Sequence, residues 1–106
     1  MTIHRVTLFN VPKDEDIDFL LGQYQVLKQE ALRDGKPYIQ SVVAGRALPD
    51  DRSRGYTLVA KTTFSSLDDM KFYDNECGAH KRFKAHAGPR KVGDVLTVFF
   101  EHEAAA

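Results

Sequence analysis

The densest set of reactive side chains in this chain lies in one stretch, Phe72-Tyr73-Asp74-Asn75-Glu76-Cys77-Gly78-Ala79-His80. It holds a phenol, carboxylates, a thiol and an imidazole. Imidazole is the side chain whose ordinary titration falls near neutrality, which suits it to moving protons. A phenol and an imidazole brought together at a break in the chain can line a cavity mouth. The same pair has a plainer reading, with Tyr73 packed in the core and His80 capping a turn. Cys77 is the only cysteine, so it cannot form an internal disulfide, and it is read as an inert thiol.

The elements around this stretch decide how its side chains are placed. Ser66 with Asp69 three residues on reads as an S-x-x-D helix start. Gly78 stops or kinks that helix. A second helical run follows from Ala79 to Ala87. Tyr73 therefore sits late on one segment and His80 early on the next.

Upstream, Ile3 to Asn10 alternates with period two, placing Ile3, Arg5, Thr7 and Phe9 on one face and His4, Val6, Leu8 and Asn10 on the other. Both faces carry bulky apolar groups, so both are expected to be covered. Ile17, Leu20, Leu21, Tyr24, Leu27 and Ala31 form one stripe of an amphipathic helix, whose acidic first turn suits the helix dipole. Asp34-Gly35 is expected to end it. Strands are expected over Pro37 to Ala47, Tyr56 to Phe64 and Lys91 to Glu101. Residues 48–55 read as a polar loop, and 102–106 as a frayed tail. The order is β-α-β-β-α-β in one domain spanning 1–106. That order predicts an α+β, ferredoxin-like fold with an antiparallel sheet and both helices on one face. The other sheet face, left bare and apolar, predicts a partner.

Composition narrows the function classes. Lysine plus arginine and aspartate plus glutamate both number 15, so the formal net charge is zero. General nucleic-acid binding needs a basic surface and is not expected. His4, His80, His86 and His102 are scattered, and the spacing of His80 and His86 does not stack them on one helix face, so no metal site is expected. No glycine-rich phosphate loop is present, and no cofactor is expected. Lys81, Arg82, Lys84, Arg90 and Lys91 form a local basic patch, which either steers an anionic ligand or carrier protein or is a solvated face. No apolar stretch has signal-peptide or membrane-spanning character, so a cytoplasmic protein without membrane partners is expected.

Several of these residues, in this order, resemble the stress-responsive dimeric α/β-barrel family. They are His4 on the first strand, Arg54-Gly55-Tyr56-Thr57-Leu58 leading into the third, and Phe64-Ser65-Ser66-Leu67-Asp68-Asp69-Met70-Lys71-Phe72-Tyr73 followed by Gly78-Ala79-His80. The resemblance covers nearly the whole chain. It implies a homodimer whose sheets meet face to face. One plant branch, the olivetolic acid cyclases, closes a linear polyketide by aldol condensation with a tyrosine and a histidine. Tyr73 and His80 match that pair, His4 matches a first-strand pocket histidine, and Leu58 stands where the cyclases carry a further pocket histidine. The segment from Tyr73 to His80 is one residue longer than theirs.

The resemblance implies catalysis by His80 and Tyr73, with His4 and Leu58 as substrate-binding positions and no cofactor. His80 would take an acidic α-proton from a small apolar carbonyl compound or polyketide. Tyr73 would donate to the developing enolate or orient the imidazole. The alternative is a non-catalytic stress or ligand-holding homodimer. The enzyme reading expects Tyr73, His80 and His4 around one cavity between the sheet and the second helical region.

Overall fold

The computed structural model describes all residues from Met1 to Ala106. The first strand, β1 (Ile3–Asn10), is followed by helix α1 (Asp14–Glu30). Asp14, Glu15 and Asp16 occupy the first turn of α1 and Lys28 the last, the favourable order for the helix dipole. Ile17, Leu20, Tyr24 and Leu27 are its buried side chains, at the helical spacing expected of one apolar stripe.

The end of α1 corrects one expectation. The helix stops at Glu30, and Ala31 closes it by donating its N–H to the Leu27 carbonyl. Asp34 and Gly35, both at positive φ, form the two-residue turn of a small hairpin between β2 (Leu32–Arg33) and β3 (Lys36–Pro37). Asp-Gly is a preferred pair for that turn because both positions need left-handed backbone. A hairpin turn and a helix stop draw on the same residues, so local sequence does not separate them.

Strand β4 (Ile39–Arg46) leads through a short 3-10 turn to β5 (Leu58–Phe64). Helices α2 (Leu67–Asn75) and α3 (Gly78–Ala87) precede β6 (Val92–Phe100). The main sheet has the order β4-β5-β1-β6, and all its pairings are antiparallel. This is the ferredoxin-like α+β arrangement, with the helices on one sheet face. Ile3, Arg5, Thr7 and Phe9 of β1 are buried on that face, flanked by Leu58, Ala60, Thr62 and Phe64 of β5. Leu20, Leu58, Phe64 and Tyr73 are among the most completely buried side chains and anchor the core.

Ser66 caps α2, its hydroxyl accepting the Asp69 N–H at 3.1 Å, an interaction that contributes about 1 kcal/mol in typical helices. The reciprocal half of the capping box is absent, because the Asp69 carboxylate binds Arg33 at 2.7 Å and the Ser65 hydroxyl at 3.0 Å. The break between α2 and α3 falls at Glu76 and Cys77, and Gly78 is already helical. The N–H groups of Glu76 and Cys77 both donate to the Phe72 carbonyl, which ends α2 without a left-handed glycine. Cys77 is fully buried at this corner.

The opposite sheet face carries no helix. Val43, Leu96, Val98 and Phe100 are exposed there, beside the half-buried Val6, Leu8 and Val59.

Candidate active site

α1 lies over β4, and α2 lies over β1 and β5, but no helix packs extensively on β6. A cavity of about 280 Å³ opens in the resulting gap, on the helix side of the sheet. Typical small-molecule pockets start near ~300 Å³, so this one suits a compact ligand. Its buried wall is made by Arg5, Thr7 and Phe9 of β1, Tyr24 of α1, and His80 and Phe83 of α3. Lys84, Gly88, Lys91, Val95 and Thr97 frame the more exposed side. The ring of Phe83 packs against Tyr24 at 4.2 Å and Phe9 at 6.0 Å, which fixes the apolar part of the wall.

His80 is the best-defined chemical group in this wall. Its Nδ1 lies 2.8 Å from the Tyr73 carbonyl oxygen. A carbonyl has no proton to give, so Nδ1 donates, and the neutral imidazole keeps its lone pair on Nε2. Nε2 has no protein partner, yet it is not sealed off, and the residue faces the cavity. The Tyr73 ring stacks on the imidazole at 3.7 Å with an angle of 10° between planes. Burial pushes the His80 pKa down to about 4; Arg5 and Lys84 add to the fall, while the Tyr73 carbonyl and Asp74 oppose it. His80 is therefore a neutral hydrogen-bond acceptor at physiological pH.

Arg5 adds a buried cation beside this pair. Nη1 donates to the Thr7 hydroxyl at 2.7 Å, and Nη2 pairs with Asp74 at 2.9 Å. Its guanidinium carbon lies 5.2 Å from the Tyr73 ring centre, a cation–π distance. Tyr24 is held as a neutral phenol, its pKa raised well above normal by burial and by Tyr73, against a smaller opposing effect of Arg5. The cavity thus offers an acceptor nitrogen, a phenol, two threonine hydroxyls and a buried cation.

The residues expected from the sequence fall into three groups. His80 and Tyr73 are brought together, although only His80 lines the cavity. Tyr73 is almost wholly buried, and its link to the imidazole runs through its ring face and backbone carbonyl. Leu58 is fully buried beside Phe9 and does not line the cavity. His4 corrects the expected three-residue convergence, because it points to the opposite face of the sheet. There it pairs across with Phe100 and stacks on the exposed ring of His102 at 4.2 Å. Burial lowers the His4 pKa, with help from His102 and Lys61. Strand alternation is the reason: helices cover the face shared by Ile3, Arg5, Thr7 and Phe9, so Arg5, Thr7 and Phe9 supply the first-strand side chains to the cavity.

Arg5 and Tyr24 escaped the sequence reading. An arginine in a strand reads as surface, and Tyr24 was absorbed into the apolar stripe of its helix. The signal available for Arg5 was its place on the same face as Ile3 and Phe9.

Residues 3–101 match the model of the Stress responsive A/B Barrel Domain family. The Fusaristatin A biosynthesis cluster protein of Gibberella zeae is 44% identical over 102 residues, covering 96% of this chain and 74% of that protein. Among solved structures, hydroxynitrile lyase from Passiflora edulis is similar with a TM-score of 0.78 at 17% identity, over 99% of this chain and 97% of the lyase. A dimeric ferredoxin-like protein from Jannaschia sp. CCS1 is similar with a TM-score of 0.75 at 14% identity, over 96% of this chain and 100% of that one. At such identities the structural likenesses establish the fold alone. No helix of the chain is long and apolar enough to cross a membrane.

Proposed function

From the premise that this chain belongs to the stress responsive A/B barrel domain family, we propose that it is a homodimeric catalyst of proton transfer at the α-carbon of a small, partly apolar carbonyl compound. Closure of a polyketide by aldol addition is one reaction of that class. The observation that carries the reading is the His80 imidazole. It is held in one tautomer by the Tyr73 carbonyl, its other nitrogen has no protein partner, and the residue lines a cavity.

In this reading, Nε2 of His80 removes the α-proton. The electron pair of the C–H bond passes to the carbonyl oxygen, forming an enolate. That oxygen lies among Arg5, the Thr7 and Thr97 hydroxyls and the phenol of Tyr24, which favour the negative charge in a site partly shielded from water. The proton then returns from Nε2 to the product. A base with a pKa of about 4 is weak while the cavity is empty. The negative charge developing on the substrate stabilises the imidazolium that forms, so the base strengthens as the proton moves. Tyr73 acts as a positioning residue. The chemistry needs no group beyond these side chains.

Two similar proteins agree with small-molecule chemistry: one is a hydroxynitrile lyase, and the other belongs to a biosynthesis cluster. The homodimer is supported by the bare sheet face, where Leu96, Val98 and Phe100 stand exposed beside Val6 and Leu8. Apolar area left in water costs ~25 cal/mol per Å², and a second copy of the same face removes it. His4 and His102 belong to that face rather than to the cavity.

Deuterium uptake at the α-carbon of a panel of small ketones and 1,3-dicarbonyl compounds tests the reading. The protein is expected to accelerate uptake, and His80→Gln to reduce that acceleration by ~10²-fold or more, in the range typical of a positioned base. Binding of panel members without any accelerated uptake would instead support a ligand-holding homodimer.

A further inference from the structure

The cavity wall is electrically one-sided. Arg5, Lys84 and Lys91 line it together with His80, and no aspartate or glutamate does. We infer that the cavity selects a small carbonyl compound that carries a carboxylate, a keto acid, and that this cationic lining holds the carboxylate. The inference rests on the reading of the cavity as a substrate site.

Arg5 carries the argument furthest. It is only 8% exposed, and a guanidinium has five N–H donors. One nitrogen serves Thr7 and another serves Asp74, while Nε is buried with no partner. Buried donors are rarely left unpaired, and a buried charge needs compensation. Asp74 is the one carboxylate paired with Arg5, and it is itself about a third exposed.

The two lysines repeat the pattern. The Lys84 ammonium donates to the Asp74 backbone carbonyl at 3.1 Å, and the Lys91 ammonium to the Gly93 carbonyl at 2.8 Å. Both acceptors are uncharged, so neither ammonium is paired with a carboxylate. Cations at the rim of a concave, partly apolar wall attract a small anion. Thr7 and Thr97, whose hydroxyls lie 3.4 Å apart, supply neutral donors in the same wall.

The arrangement also couples binding to chemistry. Arg5 and Lys84 both disfavour protonation of His80. A bound carboxylate offsets that effect and raises the proton affinity of the imidazole, so the correct ligand strengthens the base that acts on it. The same pairing withdraws charge from the carboxylate, which otherwise makes a neighbouring α-proton less acidic.

Acetoacetate and its methyl ester are matched probes, since they differ in charge and share the ketone. Titration calorimetry of each against the intact protein is expected to give acetoacetate a Kd at least about tenfold lower, a modest difference for a charged hydrogen-bonded contact. Lys84→Gln with Lys91→Gln, both at the open side, should narrow the gap between the two Kd values with the fold intact by circular dichroism. Arg5→Gln should do the same if it folds. Equal binding of acid and ester by the wild type would overturn the inference, as would an acid preference unchanged in the lysine pair. Inorganic phosphate that displaces acetoacetate at lower concentration would also overturn it, assigning the cations to a phosphate group. Deuterium uptake separates this from the underlying reading. Tight acid binding without uptake upholds the anion site and sinks the proton-transfer reading. Accelerated uptake on the ester, without acid preference, does the reverse.

Discussion

Replacing His80 by glutamine at two pH values tests the electrostatics of the site without any knowledge of a substrate. The folded protein holds the imidazole near a pKa of about 4, against an ordinary value of 6.5. Between those values the unfolded chain binds the proton and the folded protein does not. The stability associated with neutral His80 is therefore complete above about 6.5 and is lost as pH falls toward 4. For a shift from 6.5 to about 4, linkage removes about 2–3 kcal/mol between about pH 7.5 and about pH 4.5. The wet edge that the ring presents to the cavity makes this the upper end of the effect. Glutamine can donate to the Tyr73 carbonyl but does not titrate. Urea unfolding of both proteins at both pH values should show the wild type losing about 2–3 kcal/mol more than the variant. Carboxylates and His4 titrate in both proteins and cancel in the difference. Parallel losses in wild type and variant would refute the argument, because His80 would then titrate as an exposed histidine does. The proposed base would have lost its buried setting.

Two further outcomes test the fold around the site. Val98→Glu places a charge on the bare sheet face where the side chain is already exposed, so the subunit should keep its fold and light scattering should report a monomer in place of a dimer; an unchanged dimer would move the interface off the sheet. Cys77 is buried at the α2–α3 corner, so it should resist a thiol reagent until the protein is unfolded, and Cys77→Ser should lower stability by ~1–3 kcal/mol by burying a more polar group in the core; rapid labelling of the native protein would contradict that packing.

Local pattern determined much of this protein. Period-two alternation in Ile3 to Asn10 already separated the two faces of β1, and the stripe from Ile17 to Leu27 already marked the buried side of α1. Ser66 was legible as a cap because its hydroxyl reaches an N–H only three residues away. Nearness of Tyr73 to His80 was legible for the same reason, being a matter of a few residues of chain. Tertiary structure decided the rest. Alternation states which residues share a face, but only the packing of α1, α2 and α3 determines which face they cover. That choice brought Arg5 to the cavity and turned His4 toward the bare side. Whether Asp34-Gly35 ended a helix or turned a hairpin depended on β2 and β3 finding each other. The charge of the cavity was only partly legible, because Arg5 is far in sequence from the local basic patch that holds Lys84 and Lys91. Their side chains line one wall only when β1, α3 and the start of β6 converge, and electrostatic effects depend on distance through space rather than along the chain.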